Sequence, residues 1–231
     1  MADNWSSVTV LPVPSPETGV ANPSGRILVF SPGAAAGTLR VDRFDPKRNT
    51  WTRRPDLAGG IQGAKAVAGS GGIVYIVGVT VDGRHGRTLA YDATAGTWHA
   101  LAPMPTPGTD FGIAVLAGKI YVLGGRVSQC CTANGHDALD VVERYDIATD
   151  SWTRLGRMPR PDADPGAVAA VASTNGTQGS IDGGSPGTPT TLYLFLPERV
   201  WIFEPAIGTW TPGPASLRYG ETGSRWSGRT A

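Results

Sequence analysis

The chain has 231 residues, 17% of them charged and a formal net charge of +1, so no polyanion-binding surface is encoded. Glycine (32) and proline (19) approach the level at which disorder is expected, but seven tryptophans, six tyrosines and 40% apolar residues exclude it. An all-β fold with many tight turns needs both sets of residues.

The N-terminus lacks the basic and apolar regions of a secretory signal, and no apolar run approaches the roughly 20 residues that span a bilayer. The expectations are a cytoplasmic protein and no membrane partner. Asp3-Asn4-Trp5, followed by Pro12 and Pro14, reads as an outer strand over 3–12 whose three companion strands would have to come from the C-terminus.

From residue 17 onward a pattern repeats. Ile27-Leu28-Val29-Phe30 is an apolar strand, and Phe44-Asp45 then precedes Trp51 by the same interval that recurs in Tyr91-Asp92…Trp98, Tyr145-Asp146…Trp152 and Phe203-Glu204…Trp210. In each copy the acid stands six residues before the tryptophan. Asn49, Gly96, Asp150 or Gly208 lies two before it, and Thr or Ser one before. This is a β-hairpin in chemical terms. The aromatic ends one strand, the acid accepts turn N–H groups, and Asn, Gly or Asp takes the left-handed conformation that the short turn requires. The tryptophan is expected to be largely buried between neighbouring sheets, and the prolines after it stop the strand, as in Leu101-Ala102-Pro103-Met104-Pro105.

Upstream of each hairpin lies a second apolar strand ending in glycine, Val74-Tyr75-Ile76-Val77-Gly78 and Ile120-Tyr121-Val122-Leu123-Gly124-Gly125. Before it come small-residue strands, Ala66-Val67-Ala68, Gly112–Leu116 and Ala167–Ala172. In the fourth repeat two segments qualify as the apolar strand, Gln178–Asp182 by its spacing from Gly183-Gly184 and Thr191–Leu196 by its composition; the sequence leaves both open. Each repeat is thus four antiparallel strands, a to d, the blade of a propeller.

Gly124-Gly125…Tyr145-Asp146…Trp152 is the most complete copy of a pattern that resembles the kelch family over roughly residues 20–213. The resemblance implies an all-β kelch-type β-propeller, of the kind found in the central domain of galactose oxidase. The expected organisation is one domain, 1–231, with a d strand at 3–12, blades at about 17–57, 62–105, 109–161 and 165–214, and a tail at 215–231. That is four full blades and an incomplete fifth. Only 17 residues follow Pro214, against roughly 35 needed for three further strands. A fragment, completion by a second chain, or closure with a short blade would each account for this, and an open edge predicts self-association.

Antiparallel order puts the b–c and d–a connections on one face, where loops are long and varied, so binding is expected there. The candidates are Arg84, His85, Arg87, Asp110, Arg126, His136, Asp137, Asp162 and Asp164, with Cys130 and Cys131 in the third b–c loop. The adjacent cysteines read as free thiols, because neighbouring Cα atoms lie too close for an unstrained bridge. With His85 and His136 they supply metal-ligand types without a metal-site spacing, so no metal or cofactor is expected. The copper ligands of galactose oxidase-like enzymes have no counterparts among the three histidines.

No phosphate loop, Gly-x-Ser-x-Gly or His-Glu-x-x-His occurs, and no aromatic–basic interleaving suggests nucleic acid. The resemblance implies a β-propeller and little about function, because its motif residues are structural. The expected function is a non-catalytic binding module that presents its b–c and d–a loops to a protein or peptide partner. The alternatives are a saccharide binder or a sugar-handling enzyme similar to kelch-type sialic acid mutarotases.

Overall fold

A computed structural model describes Pro12 and residues 19–21, 25–127, 138–162, 166–170, 191–196 and 199–215. The strand expected at 3–12 (Pro12 apart) and the tail beyond 215 lie outside the described residues.

Four four-stranded antiparallel sheets follow one another along the chain, each built from consecutive main strands. The first comprises β1 (Gly19–Ala21), β2 (Ile27–Pro32), β3 (Leu39–Asp45) and β4 (Thr50–Leu57). The second comprises β5 (Gln62–Ala68), β6 (Ile73–Val79), β7 (Gly86–Asp92) and β8 (Thr97–Leu101). Two short strands, β9 (Gly108–Thr109) and β12 (Arg126–Val127), flank the third sheet of β10 (Gly112–Leu116), β11 (Lys119–Leu123), β13 (Leu139–Asp146) and β14 (Ser151–Asp162). The fourth comprises β15 (Gly166–Ala170), β16 (Thr191–Phe195), β17 (Arg199–Glu204) and β18 (Thr209–Ala215). A 3₁₀ turn, Ser70–Gly72, lies between β5 and β6. The sheets are the four blades of a kelch-type propeller. Their inner strands pack in succession, β1 on β5, β5 on β10 and β10 on β15. In the fourth blade the second strand is Thr191–Phe195, which turns Leu192 and Leu194 into the core.

The left-handed turn position is realised in all four blades, and the acid accepts turn N–H groups in the first three. Asn49, Gly96, Asp150 and Gly208 all have positive φ, 52°, 75°, 48° and 68°. Asp45 Oδ1 accepts from the N–H groups of Lys47 and Arg48, Asp92 Oδ1 from Thr94 and Ala95, and Asp146 Oδ1 from Ala148. The hairpins bring Phe44 opposite Trp51, Tyr91 opposite Trp98, Tyr145 opposite Trp152 and Phe203 opposite Trp210, with ring centroids 4.6–5.2 Å apart.

The burial within each pair differs from expectation. The tyrosine or phenylalanine is the fully buried member, whereas all four tryptophans are only half-buried. The tryptophan sits on the outermost strand of the blade, so part of its ring stays at the rim. Apolar faces of successive blades interlock: Phe30 of β2 meets Tyr91 and Trp98 edge-on, Tyr75 of β6 lies 6.4 Å from Tyr145, and Tyr121 shares a core with Phe203. A fully buried aromatic of this kind stabilises by about 1.5–3 kcal/mol.

Candidate functional site: the loop face

The b–c and d–a connections meet at the same end of the blades. In the first joint, Ile61 N–H donates to Gly37 C=O at 3.2 Å. Arg87 Nη1 donates to Gly59 C=O at 3.3 Å. Gly60 has φ +99°, and a Cβ there would lie 1.6 Å from the Arg87 guanidinium. Arg87 is therefore half-buried against the d–a connection rather than projecting from it.

The second b–c turn is a self-capped hairpin. Thr80 N–H donates to His85 C=O at 2.9 Å, His85 N–H donates to Thr80 Oγ1 at 3.2 Å, and Arg84 N–H donates to Asp82 Oδ1 at 3.1 Å. The Thr80 hydroxyl, then the Arg84 N–H, holds the Asp82 carboxyl below its usual range. This frame leaves the side chains of Arg84 and His85 exposed at the tip, beside Val81 at 42% exposure.

In the next joint the d–a strand β9 pairs with the b–c strand β12, Thr109 opposite Arg126 and Gly108 opposite Val127. Arg126 also bridges to Ala138, Leu139 N–H donates to Gly125 C=O and Gly124 N–H to Val141 C=O. The two sides of the third b–c connection thus form a stem, 124–127 against 138–141, braced on β9. Asp110, in the left-handed conformation at φ 56°, is brought to Arg126, with Oδ2 3.7 Å from Nε. Both side chains are more than half exposed, so the pair contributes little energy. Of the sequence candidates, Asp110 and Arg126 are joined here, and Arg84 and His85 share one turn. Asp162 ends β14 opposite Leu139. Cys130, Cys131, His136, Asp137 and Asp164 lie outside the described residues. Among the described residues no cluster of three metal-ligating side chains occurs, and no helix is long and apolar enough to cross a membrane.

Sequence reasoning missed the group behind this lip. Glu143 on β13 is 1% exposed, and its carboxylate accepts from the Thr106 hydroxyl at 2.6 Å and the Thr106 N–H at 3.3 Å. Beside it is a cavity of about 10 Å³, lined by Met104, Phe111, Val122, Leu139 and Val141 among others, room for one water and not for a sugar ring. The available signal was an acid two residues before the buried aromatic, which recurs as Asp42 before Phe44. Asp42 is 3% exposed and receives the Arg40 guanidinium at 2.5 and 2.9 Å.

Comparison with known proteins points the same way as the blades. The Kelch motif family model matches residues 107–159. Kelch-like protein 35 of Mus musculus is 28% identical over 127 residues, covering 54% of this chain and 21% of the relative. Kelch-like protein 34 of Homo sapiens is 30% identical over 142 residues, 58% of this chain and 21% of the relative. Kelch-like protein 41b of Danio rerio is 28% identical over 180 residues, 76% of this chain and 28% of the relative. The chain therefore spans about a fifth to a quarter of the length of these relatives. Four blade-forming sheets, the repeated hairpin with its paired aromatics, and these matches identify the chain's fold as one of kelch repeats.

Proposed function

We propose that the chain is a non-catalytic kelch-repeat interaction module whose b–c and d–a connections receive a protein or peptide partner. The observation that carries this reading is the bracing of those connections on one another, β9 on β12 and Ile61 on Gly37. Bracing pre-organises exposed groups, which reduces the ordering cost of binding. The exposed groups are a mixture of Arg84, His85, Arg126, Asp110, Val81 and Val127, the composition of an adaptable polar surface with apolar contacts rather than of a reaction centre. Kelch-like relatives support an interaction role. The sugar-enzyme reading is weaker, because the cavity beside Glu143 is water-sized.

The test is a partner identified by cross-linking, then measured against charge-reversal variants on opposite faces. Arg84→Glu and Arg126→Glu should weaken binding by more than tenfold while leaving the melting temperature unchanged. Lys47→Glu, exposed on a c–d turn at the other end of the blade, should have no effect. Loss of binding in Lys47→Glu alone would transfer the site to the c–d face.

A further inference from the structure

The buried carboxylate of Glu143 is a costly feature that the loop-face reading leaves unused. A carboxyl group sealed beside Val122, Val141 and Phe111 is costly unless hydrogen-bond partners are held to it. Both donors described above come from one residue, Thr106. Thr106 lies inside the ten-residue connection 102–111 between β8 and β10, and no strand ladder runs between Ala102 and Gly108.

The first d–a connection offers an internal comparison. It has only four residues, 58–61, and the position equivalent to Glu143 in the blade that follows it is Leu89, an apolar core residue. The short connection is held at Gly59 by the half-buried Arg87 side chain; the long one has a buried acid reaching it. One residue beyond Thr106, after Pro107, comes β9, whose two-residue pairing with β12 is too short to be stable by itself. Fully buried Phe111 fixes the far end of β9, and the Thr106 contact fixes the near end.

We propose that Glu143 is the positioning residue of the loop face: by holding Thr106 it sets β9 against β12 and thereby places Asp110, Arg126 and the stem 124–127/138–141. This rests on the loop-face reading for its importance, but its geometry is testable without any ligand.

The experiment is site-resolved amide hydrogen exchange on the full chain, wild type against Glu143→Gln, Thr106→Val and Thr106→Ser. Gln offers one acceptor oxygen where Glu offers two, so residues 103–111 and Arg126–Val127 should exchange roughly ten- to a hundredfold faster, with β13 and β14 unchanged. Thr106→Val should reproduce that local pattern, and Thr106→Ser, which keeps the hydroxyl, should restore wild-type protection. Unchanged exchange in 103–111 overturns the proposal, and so does equal acceleration throughout the third blade, which would mark Glu143 as merely structural. If Glu143→Gln does not fold, the two Thr106 variants decide the question by themselves. A partner that fails to respond to Arg84→Glu or Arg126→Glu would overturn the functional reading and leave this exchange result standing.

Discussion

The indole Nε1 of Trp152 donates to the carbonyl of Ala102 at 2.9 Å, and the N–H of the same Ala102 donates to Asp150 Oδ1 at 2.8 Å. One peptide-bearing residue of the second blade is thus held at both its polar groups by the hairpin of the third. The previous joint is a weaker version. Trp98 Nε1 reaches Pro55 C=O at 3.5 Å, and Pro55, the counterpart of Ala102 four residues after its own tryptophan, has no N–H to offer. There the residue equivalent to Asp150 is Gly96, which accepts nothing through a side chain.

Replacing each tryptophan by phenylalanine separates the hydrogen bond from most of the ring packing. Trp152→Phe should cost about 1–2 kcal/mol, and Trp98→Phe less, because its bond is at the outer limit of length. Urea denaturation of the two variants checks the order. Equal losses would mean that ring packing alone joins the blades.

The paired tyrosines should respond oppositely to loss of their hydroxyls. Tyr145 Oη donates to Asp150 Oδ1 at 2.6 Å, whereas the buried Tyr91 Oη has no hydrogen-bond partner. Tyr145→Phe should lower stability by about 1–2 kcal/mol. Tyr91→Phe should be neutral or stabilising, since it removes an unsatisfied buried group. Thermal melts of both variants under one buffer condition test this.

Acid should loosen the hairpins. The Ala95 and Thr94 N–H groups hold the Asp92 carboxyl below its usual range. Lys119 and then Ala148 do this for Asp146, and Tyr145 and then Ala102 for Asp150. A carboxyl depressed in the folded state stabilises fully above its unfolded pKa of about 4, and that contribution disappears as pH falls through the folded value. The melting temperature should therefore fall steeply below about pH 4. Asp146→Asn should have a lower melting temperature at pH 7 and a shallower decline in acid. A parallel decline in the variant would remove Asp146 from this account.

Gly125 is a position where any side chain meets backbone. Its φ is +99°, and an added Cβ would lie 2.6 Å from Thr109 C=O and 2.9 Å from Phe111 Cβ. Gly125→Ala should cost more than about 2 kcal/mol, combining a strained backbone with a clash that no flexible side chain can relieve. Gly118→Ala, where nothing lies within 4 Å, isolates the conformational cost at φ +70° and should be milder. Chemical denaturation of the pair measures the difference.

The local chemistry of the hairpins was legible because few residues tolerate the left-handed turn position: Asn49, Gly96, Asp150 and Gly208 announced it. The second strand of the last blade was not, since the double glycine at 183–184 and the apolar run at Thr191 gave competing spacings. Pairing with β17, which buries Leu192 and Leu194, resolves the choice. The role of Glu143, whose place two residues before the buried aromatic recurs as Asp42, was hidden for a different reason. Its partner is 37 residues away in a connection of unrepeated sequence, and no local periodicity reports such a contact. Among the loop candidates, residue type identified Asp110 and Arg126 as charged, but only the β9–β12 pairing brings them together. Arg87, a candidate of the second b–c loop, stands at the start of β7 and tethers Gly59, because its guanidinium fills the space left by Gly60.

The two joints also predict a specific non-additivity. Asp150→Gly removes the acceptor and leaves the Ala102 N–H without its carboxylate, so the melting temperature should fall even though Gly suits φ 48° better than Asp. Ala102→Pro removes the donor and should also destabilise, leaving Asp150 with Tyr145 as its remaining hydrogen-bond donor of the two. The double variant has the residue types of the first joint, proline facing glycine. Its backbone fits, because Pro55 already occupies the equivalent position in the first blade. Neither an orphaned N–H nor an abandoned carboxylate remains at that contact, so the combined loss should be smaller than the sum of the two single losses. Melting curves of the four proteins complete the cycle. Strict additivity would show that Asp150 and Ala102 contribute independently, and that the pairing of residue types across each joint carries no energy of its own.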